Sequence, residues 1–210
     1  MPEPAVLYSR TGSIGTLLLN RPDQRNSMTP ELLDEFSSVL DEVVADKQAR
    51  AVIITGKGNC FSAGADLNSS MQRSDDRVLP HQASFGMYEP FLKVLKVQAP
   101  VIAAMNGHAV GGGFGLCLLA DMRIANRSAK YGANFARLGI HSGMAISFLL
   151  PRLVGVARAS ELLFTGALVD GQEAERIGLV NHAVGPDDVV PQATILAERI
   201  ASAAPLAFRR

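Results

Sequence analysis

The chain has 210 residues, 48% of them hydrophobic, and its 20 Lys and Arg balance 20 Asp and Glu. That content suffices for one substantial core, while the charge balance and the lack of a Lys/Arg stripe argue against a nucleic-acid partner. No apolar run nears the roughly 20 residues of a spanning helix, so no membrane partner is expected either.

The opening Met-Pro-Glu-Pro has neither the basic start nor the apolar stretch of a signal peptide, and Cys60 and Cys117 have no framework spacing. The expected compartment is cytoplasmic, with both thiols reduced and structural. Val6–Arg10 and Ile14–Leu19 flank Thr11-Gly12-Ser13 and predict two strands joined by a tight turn. Thr29-Pro30 supplies a capping hydroxyl and a proline at the first helical position, after which Leu32, Phe36, Val39, Leu40 and Val43 recur at helical spacing. Residues 51–55, Ala-Val-Ile-Ile-Thr, are almost wholly apolar and mostly β-branched, the signature of a strand covered on both faces. Val101–Met105 repeats that signature. Between them, Asn68–His81 is polar and predicts a surface loop, and Phe85–Leu95 is apolar at helical spacing with Pro90 interrupting it. Phe114–Ala120 predicts a small-residue helix and Met122–Ala125 a further strand, so strand, glycine-rich turn and helix alternate. Met144–Val154, Arg158–Thr165, the stretch from Asp170 toward Gly178, and Asp187–Ala203 predict trailing helices. No Pro-, Ser- or Gly-rich linker divides residues 1–210, and a single α/β domain is expected.

Glycine-containing segments follow both buried strands: GNCFSAGADL at 58–67 and NGHAVGGGFG at 106–115. Glycine lets a backbone turn sharply and lets a ligand approach peptide N–H groups. Such turns ahead of helix N-termini make anion or oxyanion sites, although either one alone is equally well a tight connection. A dinucleotide fingerprint is excluded, because Leu116 stands where G-x-G-x-x-G, started at Gly111 and Gly113, needs its last glycine. A phosphate loop with its Lys and Ser/Thr is absent as well.

Taken in order, LNRP at 19–22, Asn26-Ser27, FSAGADL at 61–67, NGHAVGGG at 106–113 and TGALVDGQEAERIGLVN at 165–181 resemble the crotonase (enoyl-CoA hydratase/isomerase) superfamily, from about Val6 to the end of the chain. The resemblance implies a spiral of repeated ββα units with trailing helices, an acyl-CoA substrate, a lyase or isomerase of fatty acid metabolism, and a homotrimer or dimer of trimers. Coenzyme A enters as part of the substrate, so no separate cofactor and no metal is implied. Family members continue into C-terminal helices that cover the site or a neighbour, and the expectation is that this closing segment is missing here. In the family pattern the oxyanion-hole N–H groups fall on Ala65 and Gly112. Two preorganised donors there stabilise enolate-like charge, and one such donor is worth ~10²–10³ in rate. Ala63, Gly64, Gly111 and Phe135 correspond to substrate- and CoA-lining positions. Asp66 does so too, or braces its turn by accepting backbone hydrogen bonds.

At the acid/base positions the chain departs from a hydratase. The two glutamates that position and activate water fall on Gly115 and Phe135, and the acidic position of some isomerases and dehalogenases falls on Gly143. A general acid or base contributes ~10²–10⁴ in rate, so efficient water addition is not expected. His141, within LGIHSG at 138–143, is the candidate substitute base, since imidazoles transfer protons near neutrality; the plainer alternative is a hydrogen-bonded histidine of the pocket wall. His108 reads as a packing or hydrogen-bonding residue, and His81 and Glu89 as surface residues. Two further readings stay open: a non-catalytic acyl-CoA-binding protein, and another crotonase reaction such as thioester hydrolysis or decarboxylation.

Overall fold

In the computed structural model, which describes residues 3–65 and 80–204 and, within these, all side chains but those of 80–85, the chain opens with a hairpin. β1 (Val6–Thr11) and β2 (Ile14–Leu19) pair antiparallel with Thr11 opposite Ile14, leaving Gly12 and Ser13 as the loop. α1 (Pro30–Ala45) begins where Thr29 Oγ1 accepts from Leu32 N at 3.2 Å, which satisfies one of the first-turn donors that a helix leaves without a partner. Leu32, Phe36, Leu40 and Val43 form its buried stripe, each fully buried side chain contributing about 1.5–3 kcal/mol of transfer free energy.

From here each turn of the chain lays down a strand, a sharp corner, a second short strand and a helix. The first turn is β3 (Ala51–Gly56), β4 (Cys60–Ser62) and α2 (Pro80–Leu92). The second is β5 (Val101–Met105), β6 (His108–Val110) and α3 (Gly112–Leu119). The third is β7 (Met122–Asn126) and β8 (Lys130–Gly132), followed by a 3-10 turn over Asn134–Leu138 and α4 (Ile146–Val154). After them come α5 (Val156–Thr165), β9 (Val169–Asp170), α6 (Gly171–Arg176), β10 (His182–Val184) and α7 (Val189–Ser202). Long strands assemble one sheet in the order β1-β2-β3-β5-β7-β10, and short ones a second in the order β4-β6-β8-β9. This is the expected mixed α/β spiral of ββα turns.

Asparagines tie the corners together. Asn106 Oδ1 accepts from Gly56 N at 3.0 Å and its Nδ2 donates to Gly58 O at 2.7 Å, while Asn126 Nδ2 donates to Asn106 O at 3.0 Å. Each corner is therefore bonded to the one before it, which satisfies backbone groups that no sheet ladder reaches. The large sheet is buried on both faces. Val52, Ile54, Ala103, Met105 and Ala125 join the main core, and Ala51, Ile53, Ile102, Ala104 and Ile124 pack with Val189, Ala193 and Ala197 of α7, which is why β3 and β5 read as unbroken apolar runs.

Several expectations are corrected in detail. The glycine-containing segments are not bare turns, because β4 and β6 lie within them, and strands of three residues carry no readable period. α3 starts at Gly112 rather than Phe114, and α4 at Ile146 rather than Met144, since Met144 and Ala145 take left-handed φ values of 54° and 53°. Residues 68–79 of the predicted loop lie outside the described residues, while Pro80 and His81 already belong to α2, which runs through Pro90 to Leu92. Among the described residues no helix is long and apolar enough to cross a membrane.

The cap of α1 is testable. Thr29→Ala is expected to lower stability by about 1 kcal/mol, read as a lower urea midpoint at unchanged slope; an unmoved midpoint would show that the cap carries no net stability.

Candidate functional site

The segment after LNRP is held by one buried side chain. Asn26, at φ 51°, accepts from Arg21 N on Oδ1 at 2.8 Å and donates through Nδ2 to Cys60 O at 2.8 Å and Lys57 O at 3.2 Å. Ser62 Oγ donates to the Asn26 carbonyl at 2.8 Å. With its amide fully partnered, this buried residue fixes its loop against β4 and the corner before it. Met28 N then donates to Gly64 O at 2.8 Å, Ala63 N to Arg25 O at 3.0 Å, and Met28 and Ala65 form an isolated parallel bridge.

Against the same segment lies the GGG turn. Gly64 has φ 83°, and a β-carbon on it would stand 2.5 Å from Val110 O and 3.0 Å from Gly112 N. Gly111 sits at φ 56° and ψ −122°, a region that only glycine adopts readily. Gly112 opens α3, where first-turn N–H groups have no partner within the helix and the helix dipole places partial positive charge. Among the described residues neither the Ala65 nor the Gly112 N–H takes part in a protein hydrogen bond. Two unengaged donors thus lie on segments in van der Waals contact.

Large side chains occupy the space beside the neighbouring glycines. Met28 Sδ lies against Gly112, with Tyr88 Cε1 3.4 Å from the β-position of that glycine. At Gly115 the β-position lies 3.0 Å from Met144 Cγ and 3.4 Å from Ile146 Cδ1, and at Gly143 it lies 2.7 Å from the Tyr88 hydroxyl. Phe135, buried in the 3-10 turn, brings Cζ to 3.8 Å from the β-position of Gly111.

Of the residues singled out in the sequence, Gly64, Gly111, Gly112 and Phe135 therefore come together, with Ala63 and Ala65 on the same segment as Gly64. Asp66 lies outside the described residues, as does the side chain of His81. His141 is not drawn into this cluster: its ring is exposed, and its Nδ1 lies 2.8 Å from the carbonyl of the next residue, Ser142. His108 is exposed and accepts from Lys130 N at 2.9 Å, joining the ends of β6 and β8, and Glu89 is exposed. The sequence shows Asn26 only as part of a motif and assigns no site role to Met28, Tyr88 or Met144. Signals for two of them exist: Met28 stands just before the cap Thr29, where an apolar residue commonly packs back on its helix, and Tyr88 lies three residues before Phe91, on the same helix face.

This geometry can be set beside known proteins. The family model described as enoyl-CoA hydratase/isomerase matches residues 9–210. The chain belongs to that family. A putative enoyl-CoA hydratase of Thermus thermophilus is 36% identical over 200 residues, covering 94% of this chain and 78% of the relative. The crystal structure of an enoyl-CoA hydratase from Bacillus anthracis superposes with a TM-score of 0.91 at 37% identity, over 98% of this chain and 80% of that one. A monofunctional enoyl-CoA isomerase from M. smegmatis superposes with a TM-score of 0.82 at 33% identity, over 98% and 88% of the two chains. The crotonase likeness of the motifs and the spiral fold holds at this level, and the protein is an enzyme of the enoyl-CoA hydratase/isomerase family.

Neither cysteine of this family member is placed as a nucleophile. Cys60 Sγ donates to His108 O at 3.1 Å, and burial pushes its thiol up to about 11, while full burial raises Cys117 well above the ordinary thiol range. A raised pKa withholds the reactive thiolate until the pH climbs through it. Iodoacetamide at pH 8 should accordingly leave both cysteines of the native protein unmodified, as read by intact mass, with labelling only on unfolding or near pH 11. Rapid labelling of Cys60 at pH 8 would refute this.

Proposed function

We propose that this enzyme acts on an acyl-CoA thioester whose carbonyl oxygen is held by the Ala65 and Gly112 N–H groups. The supporting observation is that a β-carbon at Gly64 would meet Val110 O and Gly112 N, so that two donors without a protein partner among the described residues lie on adjoining segments. When a proton leaves the carbon beside a thioester carbonyl, or a nucleophile adds across a conjugated double bond, negative charge collects on the carbonyl oxygen. Donors already in place stabilise that charge without having to reorganise. Ala63, Gly64, Gly111 and Phe135 line the substrate in this reading, and Asp66 lines it or braces its turn.

Proton transfer is where the enzyme departs from a dedicated hydratase. Gly115, Phe135 and Gly143 supply no carboxylate, and the space beside Gly115 is taken by Met144. Hydration of crotonyl-CoA is therefore slow in this proposal, with His141 as the residual base through its Nε2. The enzyme is a lyase or isomerase of fatty acid metabolism, trimeric or a dimer of trimers, in the cytoplasm. One observation, the apolar filling at Gly115, favours a second reading in which the protein binds acyl-CoA without turning it over. Binding with no turnover of any enoyl-CoA would select that second reading.

Calorimetric titration is expected to show crotonyl-CoA binding and NAD failing to bind, because the glycine turn misses the dinucleotide spacing; equal affinities would remove the proposal. Gly112→Pro deletes one donor at a first helical position, where proline is tolerated, and the Met28 sulfur that a β-carbon would meet is cleared by adding Met28→Ala. Relative to Met28→Ala alone, any turnover should fall by ~10²–10³, and unchanged turnover in the folded double variant would sink the oxyanion assignment. His141→Gln tests the base. The variant should lower kcat more than it increases KM. Unaltered kinetics would move the base elsewhere.

A further inference from the structure

We propose that Arg123 is a positioning residue for carbonyl recognition: its buried guanidinium holds the C-terminal end of α3 and thereby sets the place of the Gly112 N–H at the other end. The inference rests on the acyl-CoA reading above and adds to it a residue that acts from the far end of the helix.

α3 has little of its own to fix it. Three of its eight residues are glycine, the poorest helix former after proline, and all eight are buried. The last carbonyls of a helix have no partner within it, and burial keeps these from bulk water. The usual left-handed glycine that closes a helix end is missing, because Ala120 follows with φ −70° and ψ 155°. The chain thus leaves the helix extended and enters β7 two residues later, with carbonyls at the helix end that need a donor from elsewhere.

Arg123 of β7 supplies it. Only 5% exposed, the side chain donates from Nη1 to Ala120 O at 2.7 Å, with Cys117 O at 3.5 Å, and from Nε to Leu179 O at 2.9 Å. Its backbone is fixed in turn by Asn181, whose Oδ1 accepts from Arg123 N at 2.8 Å and whose N–H donates to Arg123 O at 2.9 Å. A buried cation is costly unless its donors are bonded, and these bind the end of α3 to the connection between α6 and β10. The charge suits the place, since a cation at a helix C-terminus complements the helix dipole. Burial lowers its pKa, yet a guanidinium keeps its charge at any ordinary pH. A hydrogen-bonded helix is stiff along its axis, so a shift at Ala120 is carried about 12 Å to Gly112, where a donor has to stand within about 3 Å of the oxygen it serves.

The test is calorimetric titration of the full chain with butyryl-CoA and with S-butyl-CoA, a thioether that has the same chain and no carbonyl. The wild-type protein should bind the thioester about tenfold more tightly, because only the thioester offers an oxygen to the two donors. Arg123→Met keeps the apolar stem without the donors, and should cut that preference to about twofold while changing the thioether affinity by less than about twofold. Arg123→Lys keeps a charged donor without the fork, and its preference should fall between those two values. A loss of packing alone would weaken both ligands alike. Equal weakening of both, an unchanged preference in Arg123→Met, or any other order of the three proteins overturns the assignment and leaves the acyl-CoA reading standing. Should Arg123→Met fail to fold, Arg123→Lys decides, with a reduced preference expected and an unchanged one overturning the assignment. A wild-type protein that binds neither ligand, or both equally, overturns the carbonyl reading as well.

Discussion

Between the backbones of Gly64 and residues 110–112 there is no room for a β-carbon, which at Gly64 would stand 2.5 Å from the Val110 carbonyl. Two turns of the spiral therefore meet peptide to peptide rather than side chain to side chain, and close-packed interiors hold such contacts to within tenths of an ångström. The donors on these segments inherit that fixity. The loop that Asn26 orders holds the first segment through Ser62 Oγ, Ala63 N and Gly64 O, and α3 holds the second by starting at Gly112. A site made from main-chain atoms depends little on which side chains surround it, so one scaffold can serve several reactions through the residues placed around its donors.

Those surroundings are matched in pairs. Glycine at 112 accommodates Met28 and an edge of Tyr88, glycine at 115 accommodates Met144, and glycine at 143 accommodates the rest of Tyr88. The match extends to the backbone, where Met144 and Ala145 hold consecutive left-handed conformations at a cost of about 1–2 kcal/mol each. That strain turns Met144 back onto Gly115 just before α4 begins. Local preference gives way at this point to packing around the candidate site, which is where such conflicts are expected to collect.

The parts of the molecule legible in its sequence are those in which one physical signal runs over many residues. The apolar stretches of β3 and β5, the Thr29-Pro30 start of α1 and the GGG turn all qualify. β4, β6 and β8 are three residues each and are specified by their neighbours in the small sheet rather than by their own pattern. The segments bearing Ala65 and Gly112 were legible because their motifs carry backbone requirements, which leave glycine in the sequence. Tyr88 was not, since its position follows from the burial of Phe91 and from the empty space at two distant glycines. His141 looked suited to chemistry by residue type, and its ring is exposed with Nδ1 beside the Ser142 carbonyl, a placement that no pattern in the sequence announces.

The order of strands in the large sheet follows their order in the chain. Each new strand docks on the edge left by the last, so the sheet can grow in step with synthesis on the ribosome, from the N-terminus onward. Its outer face cannot be finished in the same way. Ala51, Ile53, Ile102, Ala104 and Ile124 find their cover in Val189, Ala193 and Ala197 of α7, which is made after all of them. Until that helix emerges the nascent chain presents a row of apolar side chains to water, and this is the stage at which it most needs shielding from other chains.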